Sequence, residues 1–103
     1  FAHIPESAAD KVRALYADAY AKEPFVRVPA KRLPEVAAVS GTNYAEVGVQ
    51  VGTDSAEPGK RVVACFSVTD NLIKGGAGQA IQSMNIMLGV DEKSSLEDVG
   101  GWP

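Results

Sequence analysis

Tyr44-Ala45-Glu46-Val47-Gly48-Val49-Gln50-Val51 carries the clearest structural signal in the chain. Ala45, Val47, Val49 and Val51 alternate with Tyr44, Glu46, Gly48 and Gln50. Period two puts one set on a buried face and the other nearer solvent, the pattern of a strand. The next stretch, Gly52 to Gly59, is polar and holds Asp54, Pro58 and Gly59, which suits a hairpin loop. Arg61 to Thr69 then returns as a strand rich in β-branched and aromatic residues. Two long neighbouring strands joined this way form an antiparallel pair.

Outward from this pair, Phe1-Ala2-His3-Ile4-Pro5 reads as the end of a strand. Ser7 is placed to cap a helix, with Asp10 in its first turn. Val12, Leu15, Tyr16 and Ala19 follow helical spacing, so the pattern predicts an amphipathic helix over Ala8 to Ala21, stopped by Pro24. Phe25 to Val28 is a short strand closed by Pro29. Arg32 to Pro34 reads as a connection, and Val36 to Val39 as another short strand. Downstream, Lys74-Gly75-Gly76-Ala77-Gly78 leads into a helix ending near Leu88. Ala77, Ala80, Ile81, Met84, Met87 and Leu88 form its apolar stripe, and Gly89 its C-cap. The tail from Val90 to Pro103 is acidic and ends near Trp102. This order implies an α+β fold with a mixed, largely antiparallel sheet and packed helices.

The chain has 103 residues, 46% hydrophobic and 22% charged, with a net charge of −3. That balance suits one globular domain and gives no electrostatic grip on nucleic acid or an anionic membrane. No apolar run approaches the ~20 residues of a membrane helix, and no secretory leader is visible. One cysteine, Cys65, cannot form an internal disulfide and fits a reducing cytosol. The expected location is cytoplasmic. The first residue is Phe1 rather than Met, so either something was removed or the sequence begins inside a longer reading frame.

Few residues offer chemistry. Cys65 lies within a predicted strand, where a free cysteine acts as a small hydrophobe. His3, the single histidine, has no local partner for general-base work. One histidine and one cysteine make no metal site. Met84 and Met87 fall on the helix stripe as core residues, and Arg27, Lys31 and Arg32 read as a solvated basic face. Asp70-Asn71 at a strand end suits either a ligand contact or an ordinary turn. Gly76-Ala77-Gly78 before a helix suits either a phosphate or close backbone packing. It is not a full dinucleotide fingerprint, because Ile81 stands where the third glycine belongs.

Thr69 to Glu92, TDNLIKGGAGQAIQSMNIMLGVDE, resembles the C-terminal signature of the N-acetyl-γ-glutamyl-phosphate reductase family of the semialdehyde dehydrogenase superfamily. Asp70, Asn71, Leu72, Lys74, Gly75, Gly78, Gln79, Ala80, Gln82, Met84, Asn85, Met87, Gly89 and Glu92 all match it. Gly76 departs from the usual alanine. Tyr20 to Val28 and Ser40-Gly41-Thr42-Asn43-Tyr44 are similar to further family segments, with Thr42 in place of a serine. After Glu92 the family often has a Gly-Leu pair where this chain has Ser94-Ser95-Leu96.

The resemblance implies a two-domain, NADP-dependent enzyme of arginine biosynthesis that is homo-oligomeric. Its substrate is a small acyl phosphate, reduced to an aldehyde through a cysteine thioester. Residues 1–103 would be the C-terminal part of its substrate and dimerisation domain, which is like that of glyceraldehyde-3-phosphate dehydrogenase, plus the final helix. The Rossmann domain would lie outside this chain. The resemblance makes Asn71, Lys74 and Gly75 cofactor-side contacts and assigns no catalytic or metal residue. The family cysteine sits in a Gly-Cys-aromatic-Pro element, which Cys65 does not match, so the chain alone is expected to be inactive. Alternatives are a reductase for an aminoadipyl or aspartyl phosphate, or a non-enzymatic binding module.

Overall fold

The structure is a computed structural model that describes residues 1–53 and 56–101. Asp54 of the expected hairpin loop and Trp102 of the tail lie outside the described residues.

The hairpin forms as the alternation requires. β1 (Ala2–Pro5), β2 (Val26–Arg27), β3 (Ala45–Val51) and β4 (Lys60–Thr69) make one sheet in the order β1-β4-β3-β2. β3 and β4 are antiparallel, with Val49 opposite Cys65 and Gly48 opposite Phe66. β1 is antiparallel to β4, and β2 is parallel to β3, which makes the sheet mixed. The α+β expectation therefore holds.

α1 (Val12–Ala19) lies against one face of the sheet, where Val12 joins Val49 and Val63, flanked by Ile4, Tyr16 and Val51. It is shorter than the expected Ala8 to Ala21 and is not capped by Ser7. Glu6–Lys11 is a 3-10 turn preceded by Pro5. The Glu6 N–H donates to Gly59 O, and Arg61 donates to the Glu6 carboxylate, so this entry is pinned to the hairpin. Only part of the anticipated apolar stripe is covered. Leu15 remains exposed because α1 sits over one end of the sheet alone.

The opposite face of β3 carries the main departure from simple alternation. Glu46, in the set paired with Tyr44 and Gln50, is 2% exposed. The Arg32 guanidinium donates to both Glu46 carboxylate oxygens at 2.6 Å, and Glu35 N–H donates at 3.1 Å. Pro34 lies across Gly48, where a Cβ would come within 2.7 Å of its ring. The 32–35 segment is thus a strap over the sheet.

The strap corrects two expectations. Arg27, Lys31 and Arg32 are not one solvated basic face. Arg32 is spent on Glu46, and Arg27 stacks 3.6 Å over the Tyr44 ring. Val36–Ala38 is a 3-10 turn, not a strand, because the preceding backbone is bonded to a carboxylate instead of a sheet neighbour. It still delivers Ala38 and Val39 to the core.

α2 (Gly78–Met87) follows a π-type turn over Ile73–Ala77, and Gly89 ends it at φ +70°. Its apolar residues do not enter a core. Met84 is 50% and Met87 85% exposed, and Ala77, Ala80, Ile81 and Leu88 are also exposed. Gly78 and Asn85 are the residues it buries. α2 stands off the sheet, so most of its stripe is left uncovered among the described residues, with Ile81 the least exposed of its large apolar side chains. Core packing for Met84 and Met87 is therefore overturned.

Candidate functional site

The Thr69 to Glu92 signature folds into a turn anchored by Asp70. One carboxylate oxygen of Asp70 accepts from the N–H of Leu72 at 2.8 Å and of Ile73 at 2.9 Å. The other accepts from Gly41 N–H at 2.8 Å. These donors, Gly41 foremost, hold its carboxyl below the usual aspartate range. The backbone then turns with five-residue hydrogen bonds. Gly75 N–H donates to Asp70 O and Ala77 N–H to Leu72 O, each at 2.8 Å. Such π-type turns occur at functional sites more often than in ordinary helix.

Gly78 is required by packing, and Gly75 is tightly placed. A Cβ on Gly78 would lie 2.3 Å from Asn43 Oδ1 and 2.9 Å from Ile73 O. A Cβ on Gly75 would press on Asp70 O at 3.3 Å. Close backbone approach, one of the readings open from the sequence, therefore accounts for these positions. Asn43 is buried, and its Oδ1 is a buried acceptor without a hydrogen bond among the described residues. Its placement against the Gly78 backbone is the setting of a weak Cα–H···O contact.

The three residues expected on the cofactor side divide. Asn71 is exposed, its side-chain amide makes no hydrogen bond among the described residues, and its Oδ1 would lie 3.6 Å from a Cβ on Gly75. Gly75 is exposed beside it. Together they offer an amide and a bare stretch of backbone, which fits the approach of a flat polar group. Lys74 faces inward. Its ammonium donates to Gln82 Oε1 at 2.5 Å and lies 5.2 Å from the Phe25 ring centroid. Burial lowers its pKa, and Glu92 partly offsets that. Gln82 in turn donates to Glu92 at 2.9 Å and accepts from Asn43 at 3.4 Å. The turn, the 40–43 loop and the tail therefore share one polar network.

A cavity of about 230 Å³ lies beside this network, lined by Asn43, Ile73, Gly78, Ile81 and Leu96 among others. Asn85 closes the tail onto α2 by donating to Glu92 O and Ser94 O.

Cys65 corrects another expectation. It is exposed, not buried, because α1 stops short of its end of the sheet. Tyr16 OH donates to its sulfur at 3.3 Å, and that bond raises the phenol's pKa. A phenol in this state gives a thiol no general base. His3 is exposed and lies 3.7 Å from Glu57. Among the described residues no group of three His, Cys, Asp or Glu side chains could hold a metal, and no helix is long and apolar enough to cross a membrane.

Of the two readings open for Asp70-Asn71 from the sequence, a ligand contact or an ordinary turn, Asp70 makes the turn. Asn43, Gln82 and Glu92 match the family segments, but the sequence gives them no structural role. Asp followed by two amides able to reach back is a local turn signal. The long-range partner, Gly41, leaves no trace in spacing.

The chain is 48% identical over 87 residues, 84% of its length, to the N-acetyl-gamma-glutamyl-phosphate reductase of Symbiobacterium thermophilum. It is 44% identical over 91 residues, 88% of its length, to that of Methanocaldococcus jannaschii. It is also 44% identical over 93 residues, 85% of its length, to a Haloquadratum walsbyi protein named as a LysW-L-2-aminoadipate/LysW-L-glutamate phosphate reductase. The aligned part is 24%, 25% and 25% of these relatives, so the chain spans about a quarter of their length. Residues 2–71, the sheet, α1, the strap and the anchor of the turn, match the family described as semialdehyde dehydrogenase, dimerisation domain, and this chain belongs to it.

Proposed function

We propose that residues 1–103 are the C-terminal part of the substrate and dimerisation domain of a longer NADP-dependent reductase. That enzyme converts N-acetyl-glutamyl 5-phosphate to N-acetyl-glutamate 5-semialdehyde in arginine biosynthesis, in the cytoplasm and as a homo-oligomer. The observation that carries this reading is identity of 42–48% over most of the chain to reductases of that name.

The chemistry then belongs to residues outside this chain. Reduction of an acyl phosphate through a thioester needs an activated thiolate. Cys65, bonded to a phenol on a strand, is not set up for that. The nucleotide, when bound, supplies the hydride. From this chain, Asn71 and Gly75 would meet it through the amide and the bare backbone beside it. Lys74 would contribute by holding the turn on Gln82, or would have to leave Gln82 to reach the cofactor.

A second reading keeps the fold and changes the substrate. The LysW-type relative is as similar as several of the acetylglutamyl enzymes. A panel run on the whole protein that carries this chain separates them. Phosphate-dependent NADP⁺ reduction with N-acetyl-glutamate semialdehyde supports the first reading. Turnover only with a carrier-linked aminoadipate or glutamate semialdehyde supports the second.

A further inference from the structure

Asp70 does more than close its own turn. Its two carboxylate oxygens serve different elements. One holds Leu72 and Ile73 of the turn, and the other holds Gly41 of the loop that precedes β3. The backbone carbonyl of Asp70 also takes the Gly75 N–H. The neighbouring residue is Asn71, which is exposed and whose side-chain amide makes no hydrogen bond among the described residues.

The 40–43 loop is itself rigidly built. Thr42 OH donates to Val39 O at 2.8 Å and accepts from Tyr44 N–H at 3.1 Å. Thr42 and Asn43 are buried, and Asn43 meets Gly78 and Gln82 at the far side of the turn. The turn is thus held to the sheet at its start by Asp70 and at its end by Asn43.

We infer that Asp70 is a positioning residue, whose carboxylate ties the 40–43 loop to the 70–77 turn and so sets the Asn71 amide and the Gly75 backbone in the pose that meets the nicotinamide nucleotide. This inference rests on the cofactor-side role proposed for Asn71 and Gly75. Asp70 does not touch the nucleotide itself. Charge-assisted bonds to three backbone amides make it a stiffer anchor than a neutral side chain would be.

Asp70→Asn isolates the tie between the elements. The amide oxygen can still accept from Leu72 and Ile73, but an NH₂ group would face the Gly41 N–H. The test uses the whole protein that carries this chain, with NADPH as the probe. Hydrogen exchange without nucleotide should show faster exchange at Gly41 in Asp70→Asn. Fluorescence titration should show NADPH binding weakened about tenfold, the scale of one charge-assisted hydrogen bond. The KM for the acyl phosphate should stay within about twofold, which loss of the overall fold would not allow. Asp70→Glu should not restore binding, because a longer side chain cannot serve both elements at 2.8 Å. Asn71→Ala should weaken NADPH without changing exchange at Gly41. If Asp70→Asn frees Gly41 and leaves NADPH affinity unchanged while Asn71→Ala lowers it, the positioning role is overturned and the cofactor-side reading stands. If Asn71→Ala does not weaken NADPH binding, the cofactor-side reading fails, and the positioning role with it.

Discussion

A Cβ at Gly78 would lie 2.3 Å from Asn43 Oδ1 and 2.9 Å from the Ile73 carbonyl, so something must shift to admit it. Gly78→Ala in the whole protein should therefore cost about 1–3 kcal/mol, as overpacking does, read by chemical denaturation. Asn43→Ala combined with it should recover part of that loss. Ser95 is the opposite case. It holds φ +64° in the left-handed region, where this chain departs from the family's Gly-Leu pair. Ser95→Gly should stabilise by about 0.5–1 kcal/mol, since it relieves a conformation that L-residues avoid. Glu46 supplies a pH dependence. The Arg32 fork, helped by Glu35 N–H, depresses its pKa against the effect of burial. A depressed carboxylate stabilises the fold fully above its unfolded pKa and loses that contribution as pH falls through the folded one. Arg32→Met, which leaves Glu46 buried without its fork, should accordingly lose most stability near neutral pH and differ least from the parent in acid, read as denaturation midpoints across pH. An equal loss at every pH would rule the fork out as the source of the dependence. None of these residue-level features was legible in spacing. Glu46 sat in the set opposite the valines, and its burial depends on a strap fourteen residues away in sequence.

The hairpin was readable because its signal is local. Period-two alternation over Tyr44 to Val51 and the β-branched return from Arg61 fix both strands and their pairing, and β3 and β4 form within a residue of those bounds. The Val36 segment was not readable, because a short apolar run is ambiguous until its neighbours are known. Here Pro34 on Gly48 and the Glu35 bond to Glu46 turn it into a 3-10 bend. α2 was readable as a helix but not as an exposed one. Its stripe says that the helix has an apolar side, not that this chain supplies the cover. On the proposed reading, that cover comes from the rest of the parent enzyme. Met87→Gln should then destabilise the whole protein by about 1–3 kcal/mol, the transfer cost of a buried apolar side chain. In the 103 residues alone the same change should leave stability nearly unaltered and reduce binding of a hydrophobic dye. Equal effects in both would mean that the stripe stays in solvent throughout.

The molecule as a whole is extended, 50 × 29 × 20 Å, with a radius of gyration of 16.2 Å. A compact domain of this length would have about 13 Å. Among the described residues its buried apolar side chains are few, chiefly Val12, Phe25, Val39, Val49, Val63 and Leu96. Such a shape suits a segment completed by further protein, and the relatives, of which the aligned part is about a quarter, are consistent with it. The resemblance carried by Thr69 to Glu92 made the family legible where periodicity could not, because the glycines and amides of the turn follow neither a helical nor a strand period. The cofactor-side assignment drawn from it divides on the geometry, with Asn71 and Gly75 open and Lys74 engaged. On the proposed reading the redox chemistry belongs to residues beyond these 103. The decisive measurement follows phosphate-dependent NADP⁺ reduction with N-acetyl-glutamate semialdehyde in three samples: the whole protein, its Cys65→Ser variant and the 103 residues alone. Turnover is expected from the first two and none from the third. Turnover by the 103 residues that disappears on Cys65→Ser would put the chemistry on Cys65 instead.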